Sequence, residues 1–132
     1  NSLVCIVSDA DGEIDHLTLA AERKVPFILH GHGDNTDEWG ALLDILHLNG
    51  TPLILTHQTP EGLRGMHNPG GFTDGDRAVC LALSMNVRPN QIKLGGFRTD
   101  LIGRWTGATH PERKMRKLDW MRRVLEIAGV GM

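Results

Sequence analysis

Apolar residues follow two rhythms along this chain. Residues 3–7 (LVCIV), 25–29 (VPFIL) and 53–56 (LILT) are short, nearly unbroken apolar runs. Runs of that length between turn-forming residues predict strands buried on both faces. A weaker run at 92–94 predicts a fourth strand. Between the runs, apolar residues recur every three or four positions. Ile14, Leu17, Ala20 and Ala21 predict one helix. Trp39, Leu42, Leu43 and Leu46 predict a second, opened by Asn35 or Thr36, with Glu38 close to a capping-box position, and stopped by Asn49-Gly50. A third helix starts near Thr73 or Asp74 and runs through Ala78, Val79, Ala82 and Leu83. In the last helix Thr109 is the expected cap, Pro111 suits the first turn and Glu112 completes a T-x-x-E box. Met115, Leu118, Met121, Val124, Leu125 and Ala128 line one face of it, and Gly129 ends it. Residues 95–108 show neither rhythm and read as a mobile loop.

Strands alternating with helices predict an α/β fold, a three-layer arrangement around a mostly parallel sheet. In such sheets ligands bind beyond the carboxyl ends of the strands. Asp9 follows the first predicted strand, His30 the second, and the TDGD stretch lies between the third strand and its helix. The fold reading therefore gathers at one edge groups that are far apart in sequence.

The length of 132 residues suits one α/β domain, taken as residues 1–132. The chain opens at Asn1 with a strand-like run almost at once, so it is expected to be a fragment of a longer chain. A net charge of −2 offers no general attraction to nucleic acid or membrane. No apolar run is long enough to span a bilayer and no signal peptide is visible, so a cytoplasmic location is expected. Cys5 and Cys80 sit in apolar runs and read as reduced core thiols.

Three motifs carry candidate chemistry. SDADG places Asp9 and Asp11 two residues apart behind a strand; this is either a plain turn or a pair of carboxylates flanking one hard cation. HGHGDN at 30–35 resembles the H-x-H-x-D pattern of binuclear metallohydrolases, but Asn35 stands where a further histidine would continue it. The preferred reading adds Asp34 to the carboxylates, lets the backbone at Gly31 and Gly33 approach an anion, and opens a helix N-terminus at Asn35. GGFTDGDRA at 70–78 reads as a ligand loop, because an N-cap alone needs neither Gly70-Gly71 before it nor Asp76 and Arg77 after it. Phe72 could stack on a flat ring, and Asp74 or Asp76 could accept from ring N–H groups or complete a metal shell. Thr56, His57 and Gln58 offer polar contacts or simply begin a loop. Arg104, His110, Arg113, Lys114, Arg116 and Lys117 form either a solvated face or a cover for triphosphate charge, with Lys114 and Lys117 sharing one helix face at i,i+3.

IVSDADG, HGHGDN, TPLILTHQ, GGFTDGDRA and KLGGF…IGRW, in that order, resemble the archaeal 6-hydroxymethyl-7,8-dihydropterin diphosphokinases, a family distantly like the catalytic domain of thiamin diphosphokinase. The resemblance runs from Leu3 to about Leu118. It implies Mg²⁺-dependent transfer of diphosphate from ATP to the hydroxymethyl group of a reduced pterin, with release of AMP, in folate- or methanopterin-type pterin biosynthesis. Asp9 and Asp11 match the family's metal-binding D-x-D, Asp34 and Asn35 its H-G-D-N, and Asp74, Asp76 and Arg77 its T-D-G-D-R. Ala10 stands where the family usually has leucine, and residues 95–97 (GGF) replace a Gly-Met-Asp.

The site expected from these readings has Asp9, Asp11, Asp74 and Asp76 in catalysis and Asp9, Asp11, Asp34 and Asp74 around the metal. Asn35, Thr56, Gln58, Gly71, Phe72, Thr73 and Arg77 take the pterin, and His32, Arg104, Lys114 and Lys117 take ATP. Two rivals use the same residues: a haloacid-dehalogenase-like phosphatase with Asp9 as nucleophile and Asp11 as acid, and a non-catalytic nucleotide- or pterin-binding module. The apolar stripe of the last helix suits either the sheet or a second subunit, so a homo-oligomer stays open.

Overall fold

A computed structural model describes residues 3–102 and 110–131. The chain divides into two compact units, 1–68 and 69–132.

The first unit is a β-α-β-α-β run. Strand β1 (Ile6–Ser8), helix α1 (Ile14–Glu22), strand β2 (Phe27–His30), helix α2 (Thr36–Leu48) and strand β3 (Leu53–Thr56) follow in order. The strands form one parallel sheet in the order β1-β2-β3, with Phe27 beside Ile6 and Leu53, and His30 beside Thr56. Two parallel crossovers in the same direction put both helices on one face of a sheet when each is right-handed. One core unites Leu17 and Ala21 of α1, Leu42 and Leu46 of α2, and Phe27 and Leu29, which alternate onto one face of β2. All four residues of β2 are buried, as expected of the central strand. Burying a leucine or phenylalanine contributes about 1.5–3 kcal/mol, so this cluster is the main stabiliser of the unit.

The ends of α2 follow local rules. Asn35 is its N-cap, although its side chain makes no capping bond; that amide is used elsewhere. Gly50 at φ +58 ends the helix, with its N–H on the His47 carbonyl and Thr51 N–H on that of Leu46. Behind β3 the chain returns beside it through His67, whose N–H meets Leu55 O and whose carbonyl accepts His57 N–H, both at 2.9 Å.

The second unit holds α3 (Asp74–Ser84), a 3₁₀ turn (Pro89–Gln91) and α4 (Pro111–Ile127). Val79 of α3 packs with Leu118, Met121, Leu125 and Val130, flanked by Ile92, Leu94 and Phe97. Gly129 at φ +69 closes α4 as expected.

The expected α/β class with a parallel sheet is the one observed. Several finer expectations are corrected. Residues 92–94 form no strand among the described residues: Ile92 and Leu94 are half-buried and Lys93 exposed. That alternation marks extended chain, but it lies on the second core with no ladder partner. The first strand begins at Ile6, not Leu3, and Leu3 and Val4 are largely exposed. The N-cap of α4 is His110; Thr109, the expected cap, and residues 103–108 of the expected loop lie outside the described residues. Cys5 and Cys80 are free thiols, half-buried rather than in the core. No helix among the described residues is long and apolar enough to cross a membrane.

Candidate active site

In a parallel sheet all carboxyl ends lie at the same edge, so Asp9 beyond β1, Gly31 beyond β2 and His57 beyond β3 start from one rim. The turn after β1 is tight. Ala10 takes φ +73, unusual for a residue with a Cβ, and is buried; its N–H rests on Ser8 Oγ at 3.0 Å. The small side chain suits that position. The turn points Asp9 and Asp11 the same way, and carboxylate oxygens of the two lie within 4.8 Å of one another.

Asp9 is the more enclosed of the pair, with a side chain only 20% exposed. Burial by itself would raise its carboxyl. Hydrogen bonds from the Asp11 carboxyl and N–H, together with His32, outweigh burial and hold Asp9 below the ordinary carboxylate range. Two carboxylates this close either share a proton or share a cation. An all-oxygen donor pair on a tight turn fits a hard divalent ion better than zinc.

HGHGDN wraps this pair. Asn35 Nδ2 donates to the Asp9 carbonyl at 2.5 Å and to the His30 carbonyl at 3.2 Å, while its Oδ1 accepts from His32 N–H at 3.4 Å. One buried amide thus ties the end of β1 to the end of β2. His32 Nε2 lies 3.2 Å from Asp9 Oδ2, and its Nδ1 meets Asp34. Gly33 at φ +93 makes the turn between them.

The GGFTDGDRA loop is organised from within. Asp76 is fully buried and accepts from Phe72 N–H and Thr73 N–H, each at 2.7 Å, and from the Thr73 hydroxyl. It supplies the return half of a capping box. Arg77, 3% exposed, donates to Asp74 Oδ1 at 2.9 Å. Phe72 is half exposed and stacks on Trp120 of α4, with ring centroids 5.2 Å apart and planes 18° apart; the Arg123 guanidinium sits 5.0 Å over the indole.

No family model matches the chain, and no solved structure matches it. Three curated proteins do. One from Pyrococcus furiosus is 38% identical over 128 residues, covering 92% of this chain and 52% of its own length. One from Methanothermobacter thermautotrophicus is 31% identical over 134 residues, covering 89% of this chain and 54% of its own. One from Methanocaldococcus jannaschii is 32% identical over 92 residues, covering 70% and 37%. Each is named 6-hydroxymethyl-7,8-dihydropterin pyrophosphokinase. The chain is homologous to part of these archaeal pterin pyrophosphokinases. It spans about half the length of the first two relatives.

Against that homology, several expected pyrophosphokinase contacts take other parts in the structure. Thr56, expected to touch substrate, is fully buried and binds His30 Nδ1 at 3.0 Å through its hydroxyl. His30 is buried too, and neither His30 nor His32 enters a group of three clustered metal ligands among the described residues. Asp76, expected as a base, is fully buried, and its oxygens accept from the Phe72 and Thr73 N–H groups and the Thr73 hydroxyl, so it serves its own loop. Buried Arg77 supports Asp74 and presents no open guanidinium. Asp34 faces His32 instead of the Asp9–Asp11 pair. Gln58 is exposed and remains available, as do Lys114, half-buried, and Lys117, exposed, near the start of α4. Arg104 lies outside the described residues. Trp120 went unread in the sequence: a lone aromatic in a charged helix gives no sign of a partner 48 positions earlier.

Proposed function

We propose that the protein carrying this chain transfers diphosphate from ATP to the hydroxymethyl group of a reduced pterin, in folate- or methanopterin-type biosynthesis. The proposed location of the reaction is the cytoplasm. The observation that carries the reading is the Asp9–Asp11 pair, with one carboxylate enclosed and held ionised, in a chain homologous to pterin pyrophosphokinases.

Asp9 and Asp11 are proposed to hold Mg²⁺, and Asp74, on its sequence motif, to assist. When bound, the ion supplies charge neutralisation for the phosphates and the leaving AMP. In the overall exchange the pterin hydroxyl oxygen forms a bond to the β-phosphorus, the bond from that phosphorus to the oxygen bridging to the α-phosphate breaks, and AMP leaves with the bridging oxygen. The hydroxyl proton goes to a carboxylate, and Asp74 is the proposed acceptor because Asp76 is committed to its loop. Positioning and electrostatics do most of the work in such transfers.

Incubating the purified protein with ATP, Mg²⁺ and a panel of alcohols that includes the reduced pterin, and weighing the products by mass spectrometry, tests this directly. Equal amounts of AMP and pterin diphosphate are expected. Inorganic phosphate without AMP would favour the phosphatase rival, and binding without turnover would favour the non-catalytic module.

The two substrates are separable by mutation. Phe72→Ala is expected to raise the pterin KM about tenfold, from the loss of one ring contact worth about 1–1.5 kcal/mol, and to leave the ATP KM nearly unchanged. Lys114→Ala with Lys117→Ala should do the reverse. Steady-state kinetics with each substrate varied in turn distinguish the two; equal shifts in both constants would remove these assignments.

A further inference from the structure

We infer that His32 is a positioning residue that orients Asp9 toward a divalent cation, and is neither a ligand of that cation nor a contact of ATP. The inference rests on the cation reading of Asp9 and Asp11. It deepens that reading by assigning the side chain that sets the carboxylate's direction.

Each oxygen of Asp9 already has one protein partner. Oδ1 accepts from Asp11 N–H at 3.3 Å, and Oδ2 lies 3.2 Å from His32 Nε2. A carboxylate has about four acceptor positions, more than the Asp11 N–H, the Asp11 carboxyl and His32 together occupy. A carboxylate with one partner on each oxygen is fixed about its terminal torsion, which would otherwise rotate broadly. His32 supplies the contact on Oδ2.

The ring is itself held at its far end. Asp34, whose side chain is 67% exposed, meets Nδ1 from the solvent side. Asn35 fixes the backbone on both sides of the contact, through the Asp9 carbonyl and the His32 N–H. The ring is therefore a strut between an outer carboxylate and an inner one. A role as metal or phosphate contact would require one of its two nitrogens to leave a partner it already has. Outer groups of this kind are commonly worth 10–100-fold in metal affinity.

The test is Mn²⁺ binding to the purified protein, followed by electron paramagnetic resonance without nucleotide or turnover. His32→Ala is expected to weaken Mn²⁺ binding by about 10–100-fold. His32→Gln places an amide N–H near the position of Nε2 and is expected to restore binding to within about threefold of the parent. Electron spin-echo modulation of the parent should show no directly bound ¹⁴N. Unchanged binding in His32→Ala, alongside loss in Asp9→Asn, would overturn the positioning role and leave the cation reading standing. Unchanged binding in Asp9→Asn would end both. Equal loss in the alanine and glutamine variants, or a ¹⁴N coupling from bound imidazole, would make His32 a ligand and overturn the inference.

Discussion

Replacing Asp9 and Asp11 together by alanine is expected to lower AMP formation by at least about 10³-fold, or roughly 4 kcal/mol of barrier. The size follows from the charge involved. A triphosphate donor and a leaving AMP place several negative charges in one cleft. Two unit charges at about 4 Å interact by about 1 kcal/mol in water and several-fold more in a partly dry cleft. The enclosed Asp9 and its partner within 4.8 Å are the groups proposed to hold the neutralising ion. The same double variant should change the melting temperature by only a few degrees. It loses the hydrogen bonds from Asp11 N–H and His32 but also removes a like-charge pair. Product formation and thermal unfolding, measured on one preparation, separate a site effect from a folding effect. AMP formation within tenfold of the parent in a folded double variant would remove the pair from the chemistry.

The features that were legible in the sequence are those governed by local periodicity. Strand β3 occupies the four residues of its apolar run, and the face of α2 and that of α4 from Leu118 onward follow their spacing, because each pattern was set by one core, whereas Met115 at the start of the α4 stripe is exposed. What failed depended on a partner far along the chain. Residues 92–94 have the alternation of a strand, but a ladder needs a neighbour that no local pattern specifies. His30 and His32 look equivalent in HGHGDN. One ring is buried against Thr56 and the other stands beside Asp9, because β2 ends between them and the alternation stops there. Asp74 and Asp76 look like a matched pair of site carboxylates. Helix geometry makes Asp76 the third residue of α3, where its carboxylate turns back to the loop N–H groups. Acid residues were thus easy to find and their roles hard to assign, since a role depends on which hydrogen bonds already occupy each oxygen.

Gly71→Ala is expected to destabilise the protein by about 3 kcal/mol, seen as a fall of roughly 10 °C in melting temperature, whereas Gly70→Ala should cost only about 1 kcal/mol. Both glycines have left-handed backbones, at φ +92 for Gly70 and +96 for Gly71, so both substitutions carry conformational strain. Their surroundings differ. A Cβ on Gly70 would meet only Cys80 Sγ at 3.7 Å, an ordinary contact. A Cβ on Gly71 would lie 2.6 Å from Arg77 Cα and 2.7 Å from Arg77 N. Those are backbone atoms in the first turn of α3, and Arg77 N–H is bonded to the Thr73 carbonyl at 2.9 Å. Relief therefore requires moving the helix start or the loop, and either movement disturbs the N–H groups of Phe72 and Thr73 that Asp76 holds. The paired glycines thus have a steric reason to be present that is independent of any ligand, and the loop they shape is what presents Phe72 and Asp74. Urea or thermal unfolding of the two single variants decides the matter. Equal destabilisation would mean that strain at positive φ is the whole effect and that close packing of Gly71 on Arg77 contributes nothing.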